Sequence, residues 1–544
     1  MIRGDDMRGL PVRNPIRHRW FVEAVILIFV AALLSSILSA EHREPVDFDT
    51  DQIVINLIVL KALRPELLPR DALYGRNYPR FYIPAYVHLQ TLLSSDGDPI
   101  TGLKRIGIGV GTLFLVSHYT LFRALGTGPL FAGLGALSAM TFRGMLGGEY
   151  WGFDGLSVHP RSIVNALTPF LLLAFVRWRA PWHVLGYFLL TGVLVSLHPV
   201  SGLHLFLAGA VVHLIIERFR LRAQLEVSGG AACFLLGALP FLVGFLPGRD
   251  NITDPALFPI LRQIQEYRWP FLFLPPSPSL VRSVAFAMLL PAALFWWLWR
   301  GGGLSQDVRR LVLFGTVAFG GGILGTGAIQ AWALLTDRPY LTHEQLRMSK
   351  LVYPALVLAF PLAYQRIWTR NRVGLRVLVA FLVLLSLVPP QQLIINSAEW
   401  RNEAKRILGM QATPPRRVRA ERLEPDEARA LWEWARRETS ADALFFIDSL
   451  RFRVAARRSI SGAFKDGGIV ALAGTRPLYE WYQYMRPVER CRAQAGKECW
   501  FALASQSGAD FVVVDSQLPL ARPRAGFVKV WERGEWSVWK RLDR

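Results

Sequence analysis

Residues Trp20 to Ser39 read WFVEAVILIFVAALLSSILS, and Arg3, Arg8, Arg13, Arg17 and Arg19 precede them. A helix of about twenty apolar residues crosses a hydrocarbon core of about 30 Å. The basic flank orients such a helix with its N-terminus on the inner side. The apolar core is long for a cleaved signal, and Leu38 stands where a small residue is needed for a cut after Ala40. The segment is therefore expected to remain as an anchor.

Working outward, apolar runs recur near 105–122, 128–142, 162–176, 183–198, 200–216, 228–246, 281–299, 309–334, 350–364 and 373–390. With the first, they predict an α-helical polytopic membrane protein of about eleven spans over residues 1–390. A content of 52% hydrophobic residues in 544 agrees, since a water-soluble chain of that length needs more polar surface. The net charge of +21 does not point to nucleic acid, because the arginines cluster at the ends of apolar runs. Alternate connections, starting inside, hold Arg177 and Arg179, then Arg218, Arg220 and Arg222, then Arg300, Arg309 and Arg310, then Arg366, Arg370, Arg372 and Arg376. Basic residues thus fall on the inner side at nearly every turn. An odd number of spans puts residues 391–544 outside, which is the periplasm if the protein sits in a bacterial inner (cytoplasmic) membrane.

The first external loop, residues 40–104, dissents with Arg43, Lys61, Arg64, Arg70, Arg76, Arg80, Lys104 and Arg105, but at about 65 residues it is long enough to escape the charge rule. Within it, Asp51 to Leu63 reads DQIVINLIVLKAL, too short to span and apolar enough to lie as an interfacial helix. Phe81 to Leu93 is expected to be a second such element, the two forming a shelf at the outer membrane surface.

The external tail changes character. Pro425 to Thr439 reads as a helix, Ala443 to Ile447 and Phe511 to Val514 as strands that each run into an aspartate, and Phe527–Trp531 with Trp536–Lys540 as a hairpin. This alternation predicts a small α/β domain. Cys491 and Cys499 are free to pair if that side is oxidising, or to remain thiols if it is not.

Asp47, Asp49 and Asp51 in PVDFDTDQI lie between the first span and the proposed interfacial helix. A carboxylate there can serve as general base on an acceptor hydroxyl or help to hold a divalent cation. Equally, Asp49 or Thr50 can cap the helix that follows. Arg143 to Arg161, RGMLGGEYWGFDGLSVHPR, gathers Glu149, Tyr150, Trp151, Asp154, His159 and Arg161 among glycines, a composition suited to a carbohydrate site or to an ordinary glycine-rich turn. Arg347 and Lys350, about one turn apart in TDRPYLTHEQLRMSK, suit a lipid phosphate or merely snorkel to headgroups. Arg80 in YPRFY has the same two readings. FGGGILGTG, Phe319 to Gly327, belongs to a span and fits close helix packing better than phosphate binding. His198-Pro199 is expected to break one helix from the next. Neither a phosphate-cradling loop, a zinc-protease helix nor a nucleophile elbow occurs, which argues against ATPases, metalloproteases and α/β hydrolases.

With many spans, the Asp49-Thr50-Asp51 pair in the first external loop, apolar segments after it and an external tail, the chain resembles the GT-C superfamily of polytopic membrane glycosyltransferases. That resemblance implies a membrane-bound polyprenyl-phosphate-linked sugar donor, Asp49 or Asp51 as base, and the donor's phosphate on Arg161, Arg347 or Lys350. A transporter or lipid-handling protein, or a membrane platform for an external binding domain, would share the same architecture. The chain is also similar to bacterial membrane proteins of unassigned function through His159-Pro160, His198-Pro199 and the series Phe452, Arg453, Arg457, Arg458, Phe464 and Lys465.

Overall fold

The computed structural model describes residues 15–40, 50–77, 83–94, 96–141, 145–146, 149–151, 158–177, 180–275, 278–301, 304–342, 344–369, 425–493, 497–515 and 526–542. These form 18 α-helices and a small C-terminal sheet. The helical part runs α1 Pro15–Ala40, α2 Thr50–Leu63, α3 Pro84–Leu93, α4 Pro99–Ala124, α5 Pro129–Thr141, then the short strands β1 Met145–Leu146 and β2 Glu149–Tyr150. It continues with α6 Pro160–Arg177, α7 Pro181–Val195, α8 Pro199–Ile216, α9 Leu221–Phe245, α10 Phe258–Arg268, α11 Pro278–Arg300, α12 Gln306–Leu335, a 3₁₀ segment Gln345–Val352 and α13 Tyr353–Trp368. Proline stands at the first position of many of these helices, where its missing N–H leaves no bond unmade.

Five helices among the described residues are long and apolar enough to cross a membrane: Pro99–Ala124, Pro199–Ile216, Leu221–Phe245, Gln306–Leu335 and the joined Gln345–Trp368. Shorter apolar stretches lie at Glu23–Leu33, Pro129–Met140 and Pro181–Val195. The expected eleven are therefore not confirmed among the described residues, and the run 373–390 lies outside them.

Arginines gather at one end of the bundle and bind helix termini there. Arg177 donates to the carbonyl of Ala124 at 2.5 Å and lies 3.7 Å from Asp307, Arg310 donates to Val176 at 3.1 Å, and Arg366 donates to Leu298 and Gly301 at 3.3 and 2.9 Å. Cations beside the last carbonyls of helices oppose the negative end of the helix dipole. The C-terminal residues pack at the other end.

There, α14 Pro425–Glu438, β3 Leu444–Phe446, α15 Leu450–Ala456, β4 Ser459–Ile460, α16 Gly467–Ala473, α17 Thr475–Ala493, α18 Lys497–Gln506, β5 Phe511–Asp515, β6 Phe527–Arg533 and β7 Trp536–Arg541 make an α/β fold. The sheet order is β4-β3-β5-β7-β6, parallel from β4 to β5 and antiparallel beyond. The hairpin expected from the sequence is β6–β7, turning at Gly534. Cys491 and Cys499 are joined in a disulfide that ties α17 to α18.

This tail is not a freestanding module. The first loop covers the β4 edge, with Ala72 N–H donating to Ile460 O at 3.2 Å and Arg70 N–H to Ser459 Oγ at 3.3 Å, so the unpaired edge is blocked. Residues 250–252 dock onto the start of α17. Gly474, at φ +135°, has no room for a side chain because a methyl group there would stand 2.1 Å from Asp250 O.

The shelf expectation needs correction. Helix α2 does form, yet Gln52 to Leu60 are buried by protein on all sides, against α3, α4 and α15. A helix apolar around its whole circumference has no polar face to offer water, so it is buried and does not lie half in lipid. Its polar residue Asn56 accepts from Gln90 of α3 at 2.8 Å. Residues 81 and 82 of the second expected element lie outside the described residues, and α3 packs on α2.

Candidate functional site

Asp51 occupies the first turn of α2, where the helix dipole favours a carboxylate. Its Oδ1 lies 2.6 Å from Lys465 Nζ and its Oδ2 3.6 Å from Arg161 Nη1. Lys465 sits in a 3₁₀ turn, Phe464–Asp466, between β4 and α16; Arg161 is the second residue of α6, which follows the buried His159. Burial raises the Asp51 carboxyl's pKa, but the charges of Lys465, Arg161 and His159 outweigh that and hold it well below the usual carboxylate range.

A second cation stands beside this pair. Arg268, the last residue of α10, is 8% exposed, and its guanidinium lies over the rings of Phe464 at 5.1 Å and Trp269 at 5.3 Å. It donates one hydrogen bond, to Lys465 O at 3.3 Å, and its Nε meets no acceptor. No carboxylate among the described residues lies within 4.0 Å of it, although Asp51, Asp466 and Glu344 act on it from farther away. Burial pushes its pKa down to about 10. Gly468 leaves room for the guanidinium, since a methyl group there would come within 3.2 Å of Nη2.

Arg347 reaches this neighbourhood from the 3₁₀ segment, paired with Glu344 at 2.7 Å. The segment lies close on α12 because that helix is glycine-rich where they meet: a methyl at Gly322 would be 2.9 Å from Ser349 N, and one at Gly325 2.7 Å from Gln345 Cγ. Close packing is thus what the FGGGILGTG run does.

Behind Lys465 lies a saturated triad. Arg453 is fully buried and binds both oxygens of Asp466 at 2.8 Å and Asp71 at 2.7 Å. Asp71 also accepts from the N–H groups of Leu73, Tyr74 and Ile460. This fixes the turn that carries Lys465 and seats the first loop on the sheet. Arg161, Arg268, Arg347 and Lys465 outnumber Asp51 and Glu344 by two, and the triad, one guanidinium against two carboxylates, takes back one of those charges. Among these described residues the balance is cationic.

The chain matches no family model and no curated protein.

Of the residues singled out from the sequence, Asp51, His159, Arg161 and Arg347 belong to this region. Asp49, Arg80 and Asp154 lie outside the described residues; Glu149 pairs with Leu146 across β1–β2, and only its backbone is described. Lys350 does not join Arg347. The 3₁₀ segment rises about 2 Å per residue, so three residues carry Lys350 about 6 Å deeper into the bundle, where it is fully buried with Nζ 2.8 Å from Ser201 Oγ. Nor does it snorkel to headgroups. Ser201 in turn bonds His198, whose ring caps α8 as a helix break at His198-Pro199 requires. Trp151 offers no open face for a sugar: it is 1% exposed and packs against Phe114, His118 and Tyr353. For the divalent cation, no group of three or more His, Cys, Asp or Glu occurs among the described residues, and Asp51 is ringed by cations, a poor donor set for a metal.

Proposed function

We propose that the protein is a GT-C-like membrane glycosyltransferase that moves a sugar from a polyprenyl-phosphate-linked donor to an envelope acceptor at the outer face of a bacterial inner membrane. In this reading the chain has about eleven spans, counting 373–390, with the N-terminus inside and the C-terminal domain outside. The disulfide Cys491–Cys499 supports an oxidising compartment for that domain. The arginines bound to helix ends at the opposite end of the bundle support the orientation.

The observation that carries the reading is a first-loop carboxylate, Asp51, in contact with Arg161 and Lys465 at the end of the bundle where the C-terminal domain sits. The acceptor oxygen attacks the sugar's anomeric carbon as its proton passes to Asp51. The bond from that carbon to the phosphate oxygen breaks, and the phosphate leaves with the electron pair. Arg161 and Arg347 meet the charge that develops on it. One displacement inverts the anomeric centre.

A general base contributes about 10²–10⁴-fold, so Asp51→Asn should lower sugar transfer from a lipid-linked donor by at least about 100-fold. Full activity in both Asp49→Asn and Asp51→Asn would remove the proposed base. The buried Lys350–Ser201–His198 chain favours the second reading, a transporter or lipid-handling protein. Transport of a lipid analogue across vesicles without any transfer of sugar would decide for it.

A further inference from the structure

A buried guanidinium is costly unless paired, and Arg268 has neither a carboxylate within 4.0 Å among the described residues nor a partner for its Nε. It is also preorganised, wedged between Phe464 and Trp269 with Gly468 leaving space beside it. It binds the backbone carbonyl of Lys465, whose ammonium is turned to Asp51. Asp51 is 34% exposed, so an incoming ligand can reach it. The cluster thus holds one cation short of an anion and two cations occupied by a carboxylate that water can reach.

We propose that Arg268, Arg161 and Lys465 form a binding site for a phosphate or diphosphate group, with Asp51 as its built-in competitor, holding Lys465 and Arg161 until the anion displaces it. The anion takes the unpartnered Nε of Arg268 first, then Lys465 and Arg161 exchange their carboxylate for it. Asp51, released from two cations, becomes a better proton acceptor only once the anion is seated. Ligand binding and activation of the base are then one event. This deepens the reading above and rests on it for the use made of Asp51; the anion site itself does not depend on sugar chemistry.

The test is calorimetric titration of the full chain, in nanodiscs of neutral lipid, with inorganic pyrophosphate. Wild type should bind saturably. Asp51→Asn should bind about tenfold more tightly, since the competitor has lost its charge, and Arg268→Gln at least about tenfold more weakly. Arg268→Lys should fall between, keeping charge without the fork. If Arg268→Gln does not fold, Lys465→Gln takes its place, since that side chain is only partly buried, and it too should bind more weakly than wild type. Asp51→Asn binding no tighter than wild type, or no binding in any variant, overturns the proposal. A second set of nanodiscs containing phosphatidic acid separates the sources: competition with pyrophosphate assigns the site to a lipid-borne phosphate, and none assigns it to a soluble one. These shifts can hold even if no sugar transfer is ever observed, and a fully active Asp51→Asn would remove the base while leaving the site.

Discussion

Arg453 and Arg268 both lose almost all contact with water, and both lie against the turn Phe464–Asp466, yet their surroundings are opposite. Arg453 makes ion pairs to Asp71 and Asp466, and its ring neighbour is Tyr74. Arg268 has two aromatic rings, one carbonyl and no close carboxylate among the described residues. The first is saturated and joins three parts of the chain: the first loop, the middle of α15 and the turn before α16. The second is left with capacity to spare. A buried cation that is fully answered holds a fold together, and one that is not is where a ligand is to be sought.

The largest effect is expected at Arg453. Arg453→Gln leaves two buried carboxylates without their cation, and the cost expected is about 3–5 kcal/mol, read as thermal unfolding of the full chain in detergent. Asp71→Asn should cost less, about 1–3 kcal/mol, because Arg453 keeps both bonds to Asp466 while the N–H groups of Leu73, Tyr74 and Ile460 lose a charged acceptor. Equal losses in the two variants would mean that the first loop, not the guanidinium, carries the stability. Arg268→Gln should move stability by less than about 1 kcal/mol, and toward greater stability, since it removes an unanswered buried charge. A loss as large as that of Arg453→Gln would show that Arg268 is structural too.

Much of this architecture is legible in the sequence because it is local. The alternation of helix and strand after Pro425, the β6–β7 hairpin and the break at His198-Pro199 each depend on a few adjacent residues. The burial of α2 is not, because hydropathy along IVINLIVL is the same whether lipid or protein covers it; only the absence of a polar face favours protein. The site is legible in part. Asp51 and Arg161 stand out by residue type and position, whereas Arg268 lies in QEYRWPF with nothing to mark it but flanking aromatics. The series Phe452, Arg453, Phe464, Lys465 stands out as a pattern without a role. Its partners, Asp71 for Arg453, Asp51 for Lys465 and Arg268 for Phe464, are far away in the chain, and no local signal encodes such pairings. Lys350 is misplaced for a different reason: a 3₁₀ segment entering the bundle changes depth quickly, so two cations three residues apart meet different surroundings.

The smallest expected effect concerns pH and tests whether Asp51 and Arg268 belong to one site. Sulfate is the suitable probe, since its charge is constant from mildly acidic to alkaline pH and only the onset of the acid rise has to be read. As pH falls, protonation of Asp51 would free Lys465 and Arg161 and raise the affinity for the anion. Because those cations and His159 hold the Asp51 carboxyl well below its ordinary range, the rise should begin only at more acidic pH than the value of about 4 usual for aspartate. As pH rises, the affinity should fall on approach to about 10, where Arg268, weakened by burial, begins to lose its proton. Bound sulfate favours the charged guanidinium, so the fall is more gradual at saturating anion. Asp51→Asn should abolish the acid rise and keep the alkaline fall, and Arg268→Lys should keep both. An acid rise that survives in Asp51→Asn would assign the competing carboxylate elsewhere.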